Sequence, residues 1–418
     1  MLRLDRICIV LFIITLAMLI PVARFVGWAG SLLTFVFAGI AIADSVVNRH
    51  WRRYSLLWII MGIMTAYALY SLFLPYNNPA AIASDWIIQQ KPFIPFVVIM
   101  AVKPSFRPSD RVVVKLVSVV NVVLTLVVWS LGPKAVEQVM QHISYVGLTI
   151  FTSALAFYLA SIEPTGKIDR RSLFVTILMI LAGLVCGRSK YFGSAVFAIF
   201  MMIFYSPDMF QRYNKRAIAM FAIALSLVTI VGWQKFEFYF IGGQGMEMDT
   251  GRLATIARPM MYYTGALILI DHLPFGSGLA SFATHPSAKS YSSIYFDYHL
   301  DKVWGLGPSM PEFITDAYYP SLAQFGIVGV GLFIWFWVYV ARLLRSVIRS
   351  AEPQRRALFT LGWVIIVFLM IENIANTTLV QGSGLCTMMM LGLVCSHSQL
   401  ATPTNDNSTT PTTYGSKQ

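Results

Sequence analysis

Charge is what this sequence has least of. Of its 418 residues only 12% are Asp, Glu, Lys or Arg, about half the usual share of a soluble domain. With a mean hydropathy of +0.68, so little charge cannot clothe a water-facing globule, and the soluble classes are excluded. Acidic residues are scarcer still, 19 against 31 Lys and Arg, for a net charge of +12. The excess cations form no single basic face. They sit in short connections between apolar runs, where they report topology and argue against nucleic acid as a partner. Cysteine is limited to Cys8, Cys186, Cys386 and Cys395, all in or beside apolar runs, so no disulfide framework is expected. No His, Cys, Asp and Glu grouping has metal-ligand spacing, and no nucleotide-binding fold or internal repeat is visible. Neither a metal nor a cofactor is expected.

Apolar runs long enough to cross a bilayer recur from end to end, which predicts an all-α polytopic membrane protein. About twelve spans are expected, at roughly 7–23, 27–43, 55–73, 87–102, 112–131, 143–161, 172–187, 191–205, 217–233, 320–341, 357–373 and 378–397. The first run lacks a small-x-small cleavage site and leads into another span, so it reads as a retained helix. Alternate connections carry most of the cations, among them Arg6, Arg52, Arg53, Arg107, Arg111, Arg170, Arg171, Lys215, Arg342 and Arg345. The positive-inside rule then puts both termini in the cytoplasm. Residues 1–400 form one integral-membrane domain, and the Thr/Asn/Ser/Pro-rich segment 401–418 reads as a disordered cytoplasmic tail.

One connection is long. Residues 234–319, between spans nine and ten, fall on the external side and contain short helices. Asp249-Thr250-Gly251-Arg252 precedes an apolar helical run. It is either an ordinary capped helix start or a phosphate site made of free backbone N–H groups, Gly251 and Arg252. Arg258 precedes Pro259, an expected helix interruption. Met260 to Leu273 fits a helix lying in the external interface. Pro274-Phe275-Gly276-Ser277-Gly278 reads as a turn whose glycines permit positive φ and close backbone approach. Tyr291, Tyr295, Tyr298 and Trp304, beside Asp297, His299 and Asp301, suit either sugar faces or an interfacial aromatic belt.

Outside this loop, Gly187-Arg188-Ser189-Lys190 joins spans seven and eight on the external side, against the charge rule. The two cations either snorkel to lipid phosphates or form a cationic corner for an anionic ligand. Asp316, just before span ten and followed by Tyr318 and Tyr319, is either a helix N-cap or a base for a hydroxyl proton. Lys91, near the outer end of span four beside Pro92, and Glu372, at the outer end of span eleven with Asn373 and Asn376, are polar groups at membrane depth and hence further binding candidates.

Taken together, Gly251-Arg252 before an apolar helix, Pro274-Phe275-Gly276-Ser277-Gly278, and Thr315-Asp316 some ten residues before Gly326-Ile327-Val328-Gly329 form an ordered set. With Arg188 at an external hairpin two spans earlier, the set resembles the O-antigen ligase and O-antigen polymerase (Wzy-type) superfamily. The motifs carrying the resemblance span residues 186–329. The resemblance implies a GT-C-like bundle in a bacterial inner membrane, and a metal-independent glycosyltransferase whose donor is an oligosaccharide on undecaprenyl diphosphate. Arg188 and Arg252 would clamp the diphosphate, with Asp316 as the third catalytic group. Lys190, Arg258, Tyr318, Tyr319, Gly251, Lys91 and Glu372 would line the substrate site.

The ligases of that superfamily carry His-Asn where this chain has Thr315-Asp316. This favours a polymerase of O-antigen, capsule or exopolysaccharide repeat units, with the growing chain as acceptor and a chain-length regulator as a further partner. The alternatives are a ligase acting on lipid A core and, in another class, a lipid-linked oligosaccharide flippase or transporter. Carriers of the major-facilitator type place their longest loop in the cytoplasm between spans six and seven, unlike this chain.

Overall fold

The computed structural model describes residues 4–20, 29–163, 168–204, 257–349 and 356–397. Among them the chain is helical, with no β-strand beyond the isolated bridges Ile162–Ile168 and Gly307–Met310. Gly251 and Arg252, their neighbours Asp249 and Thr250, the expected ninth span and the tail 401–418 lie outside the described residues.

The helices are α1 (Leu4–Ala17), α2 (Ala29–Val47), α3 (Ser55–Ser71), α4 (Pro79–Gln90), α5 (Phe93–Val102), α6 (Pro108–Ser130), α7 (Pro133–Met140) and α8 (Ile143–Ser161). They continue as α9 (Arg170–Ala182), α10 (Ser189–Phe204), α11 (Ala257–Asp271), α12 (His285–Lys289), α13 (Ile294–Asp297), α14 (Gly326–Arg349), α15 (Arg356–Glu372) and α16 (Gly382–Cys395). Five stretches are long and apolar enough to cross a membrane: Ala29–Val47, Trp51–Ser71, Pro108–Ser130, Ile143–Ser161 and Tyr319–Val347. They coincide with the expected second, third, fifth, sixth and tenth spans. The other described runs form shorter helices. The expected fourth span is divided: α4 stops at Gln90 and α5 starts at Phe93. Pro92, between them, has no N–H to give to the turn before it, which is why the helix breaks there.

The core is built around α8, buried along almost its whole length and packed against α6, α7, α9, α15 and α16. α16 is buried from Ser383 to Cys395 and lies on α5, so close at Gly392 that a Cβ there would stand 2.7 Å from the Phe96 carbonyl oxygen. Small residues at such crossings replace the hydrophobic drive that lipid cannot supply.

Polar groups concentrate at the two ends. At one end Arg6 donates to both carboxylate oxygens of Asp110 at 2.6 and 2.8 Å. There also buried Asp44 accepts from the Tyr54 hydroxyl at 2.9 Å, Arg53 Nε donates to the Ala101 carbonyl at 2.7 Å, and Arg111 donates to the Ile162 carbonyl. The partners matter because an unpaired polar group in so apolar a setting costs several kcal/mol, about 2–7.

At the opposite end, residues 257–325 fold into a cap with an apolar core that includes Met261, Ile268, Phe282, Ile294 and Leu306. Tyr295, fully buried, accepts the Ala283 N–H at 2.9 Å and meets Ser287 Oγ at 2.8 Å. Tyr291 donates to the Leu306 carbonyl at 2.8 Å. The Tyr-rich section therefore builds core as well as surface. Trp304 packs beside Phe313 but stays 65% exposed, leaving surface for an interface or a sugar.

The turn at Pro274–Gly278 fixes the cap to the bundle. Gly276 and Gly278 have φ of +80° and +84°, and a Cβ on Gly276 would lie 2.2 Å from the Gly326 nitrogen. Backbone thus packs directly on backbone, as the sequence motif anticipates. Helix α3 adds three bonds: Tyr67 to the Phe325 carbonyl at 2.8 Å, Tyr70 to the Gly276 carbonyl at 3.0 Å, and Ser71 Oγ accepting the Leu279 N–H at 2.6 Å.

Candidate functional site

Beneath this cap lies a cavity of about 400 Å³. Its walls come from the end of the first helical segment and the start of α2 (Leu19, Gly30), the α4–α5 break (Gln89, Lys91), the α7–α8 connection (Gln141) and the start of α8 (Tyr145). The cap (Thr284, His285, Thr315, Tyr318) and the α15–α16 connection (Thr377, Gln381) complete them. These are connections that the cation bias assigns to the external side. Hydroxyls and amides dominate the polar lining, and no carboxylate contributes.

The α4–α5 break places Lys91 in this wall, as the C-cap residue directly after α4. Its ammonium has no ion-pair partner among the described residues. His285, the first residue of α12, lies near enough to feel it. Burial, then Lys289 and Lys91, holds the His285 imidazole below its ordinary value, so it is neutral near pH 7.

Beside the cavity is a cluster of charge. Arg258, in the first turn of α11, forms an ion pair with Asp316. Both remain partly exposed, at 28% and 32%. Arg258 and Pro259 fall in the first turn of α11, and the residues before Ala257, where the expected interruption would show, lie outside the described residues. Nor does Asp316 cap the following helix. The short helix Tyr319–Phe325 has Tyr318 at its start and no side-chain cap. Of the two readings of Asp316, capping has no counterpart in the structure.

Arg188 follows Gly187, whose φ of +63° turns the tight hairpin before α10. The hairpin is held by Tyr191, buried against Gly147 and Gly183, with its hydroxyl donating to the Ile180 carbonyl at 2.7 Å. Arg188 Nη2 lies 3.1 Å from His142 Nε2. Lys190 pairs with buried Glu372 at 2.7 Å and donates to the Ala375 carbonyl at 3.1 Å. Two expected substrate-binding residues thus neutralise each other.

His142 joins these pieces. The charges acting on it are those of Arg188, Asp316, Lys190 and Arg258. Burial first, then Arg188, holds its imidazole below the ordinary value, with Asp316 opposing. Nothing local in the sequence singles out His142; the one available signal is an aromatic base just outside an apolar run. Tyr262 of α11 lies in the same field, and its hydroxyl donates to the Ile374 carbonyl at 2.8 Å.

Arg188, Lys190, Arg258, Asp316 and Glu372, expected separately, therefore meet at one end of the bundle, next to a cavity holding Lys91. Tyr318 is buried and lines that cavity, and Tyr319 donates to the Met370 carbonyl at 2.8 Å. Arg252 and Gly251 lie outside the described residues. No group of three or more potential metal ligands occurs among the described residues.

A second recess, an apolar cleft of about 90 Å³, runs between α3, α5 and α14, lined by Ile63, Met64, Phe93, Leu332 and Phe336. Gln89 and Tyr318 belong to the walls of both the cleft and the cavity.

No protein-family model, curated protein or solved structure matches this chain.

Proposed function

We propose that the protein is a metal-independent glycosyltransferase of a bacterial inner membrane, with about twelve spans in a GT-C-like arrangement. In this reading it polymerises oligosaccharide repeat units carried on undecaprenyl diphosphate at the external face. The observation that carries the proposal is the apposition of three environments. An apolar cleft shares Gln89 and Tyr318 with a polar cavity, and the guanidiniums of Arg188 and Arg258 adjoin it. An amphiphile with a hydrocarbon tail, a diphosphate and a glycan has the same three parts.

The chemistry follows from the pairs. Arg188 and Arg258 turn from His142 and Asp316 to the diphosphate, joined by Arg252, and stabilise its departing charge. Asp316, released from Arg258, accepts the proton of the acceptor hydroxyl. The hydroxyl oxygen bonds to the anomeric carbon as the bond from that carbon to the diphosphate oxygen breaks. The lipid diphosphate leaves with the electron pair, and the anomeric centre inverts.

Deleting the gene and resolving the surface polysaccharide on a gel tests this. A polymerase deletion leaves single-repeat caps on the core, and complementation with Asp316→Asn gives at least about 10²-fold less polymer than wild type. Bare core would point to a ligase instead, and unchanged polysaccharide would sink both.

A further inference from the structure

The cavity suggests what kind of glycan it takes. It is lined by hydrogen-bonding side chains, among them Gln89, Tyr145, Thr284 and Gln381, which suit the hydroxyls of a sugar. Its size falls within the range of small-molecule sites, about 300–1,000 Å³. Its one lysine or arginine is Lys91. A cation at a helix C-terminus is favoured by the free carbonyls of the last turn, which accounts for a lysine at that point in the chain. It does not account for an ammonium in a cavity wall with no carboxylate beside it. The cations of the neighbouring charge cluster each face a partner: Arg188 lies against His142, Lys190 holds Glu372, and Arg258 holds Asp316.

A diphosphate carries more than one charge and matches the paired guanidiniums of Arg188 and Arg258. A single ammonium among hydroxyls and amides matches a single negative charge on a polyhydroxylated ring. We propose that the cavity binds an acidic sugar of the repeat unit, a uronic acid or another carboxylate-bearing residue, with Lys91 as counter-ion to its carboxylate. Neutral His285, next along the wall, supplies one further ring nitrogen to the same group. This rests on the glycan-polymerase reading and deepens it by naming the substrate class.

The test uses the full chain purified in lipid nanodiscs. The probes are a glucose–glucuronic acid disaccharide, its neutral glucose–glucose counterpart and inorganic pyrophosphate, titrated by calorimetry. The acidic disaccharide is expected to bind at least about ten-fold more tightly than the neutral one, the scale of a charge-assisted hydrogen bond. Lys91→Met should erase that preference, Lys91→Arg should keep it, and pyrophosphate should not displace the disaccharide. Equal binding of the two disaccharides, a preference that survives in Lys91→Met, or displacement by pyrophosphate would each overturn the proposal. The last would mark Lys91 as part of the diphosphate site. Because binding is read without turnover, these results are independent of the polysaccharide gel. The gel can remove the polymerase reading alone, and the titration can remove the acidic-sugar reading alone.

Discussion

His142 is held between two donors. Its Nδ1 lies 3.2 Å from the Ser144 N–H, and its Nε2 lies 3.1 Å from Arg188 Nη2. A guanidinium has no acceptor, and a neutral imidazole accepts at only one nitrogen. One of the two contacts is therefore always poorly matched, and protonation would spoil both. Arg188 is thus kept near the site by a contact that makes no strong claim on it, as the proposed transfer to a diphosphate requires.

The same geometry fixes a pH dependence. With its folded value depressed, His142 binds more protons in the unfolded chain than in the folded one. Its contribution to stability is fully present above the unfolded value of about 6.5. It is lost as pH falls through that value toward the folded one. The unfolding midpoint of the purified protein should fall between about pH 7 and pH 5, and His142→Gln should flatten part of that fall. Parallel curves for the two proteins would show that His142 is not responsible. At this scale the sequence marks most of the charged residues of the site, because charge at membrane depth is conspicuous. It cannot mark their pairing. Arg258 and Asp316 are 58 residues apart, and no local pattern records which cation faces which carboxylate.

Among the elements, the turn from Pro274 to Gly278 joins cap to bundle. The Gly276 and Gly326 backbones occupy the space of each other's absent side chains. Gly276→Ala should therefore remove the folded, monodisperse peak in detergent chromatography, since neither backbone can step aside. Gly187→Ala is the matched comparison. Its φ is also positive, but nothing lies within 4 Å of the added carbon, so it should cost only the left-handed penalty, about 1–2 kcal/mol. Equal effects of the two changes would mean that the close approach is unimportant. This turn is legible in the sequence because Pro-Phe-Gly-Ser-Gly has a local conformational meaning. The division of the expected fourth span is half legible: Pro92 is plain to see, but hydropathy runs across it. The burial of Tyr291 and Tyr295 is not legible, because aromatic residues suit a core, an interface and a sugar equally well.

At the scale of the molecule, the connections with few cations meet over one cavity, and Arg6, Arg53 and Arg111 are tied down at the other end. That segregation predicts labelling from opposite sides. The four native cysteines are buried, which leaves a quiet background for introduced ones. His285→Cys should react with an impermeant maleimide on intact spheroplasts, and His50→Cys should react only after the membrane is opened. Labelling of both from the same side would invert or dismantle the proposed topology. Hydropathy reveals the helical membrane class because composition alone determines it. The central position of α8 is hidden, because a helix buried in protein and a helix facing lipid are equally apolar.

The cavity also bears on how the protein is made. One wall holds Leu19 and another Leu385, so the site does not exist until nearly the whole chain has left the ribosome. Until then Lys91 and the cap that faces it have no α16 to close against. A partly synthesised chain has no enclosed cavity, and a stop anywhere before α16 yields a protein with no such site rather than one with half of it.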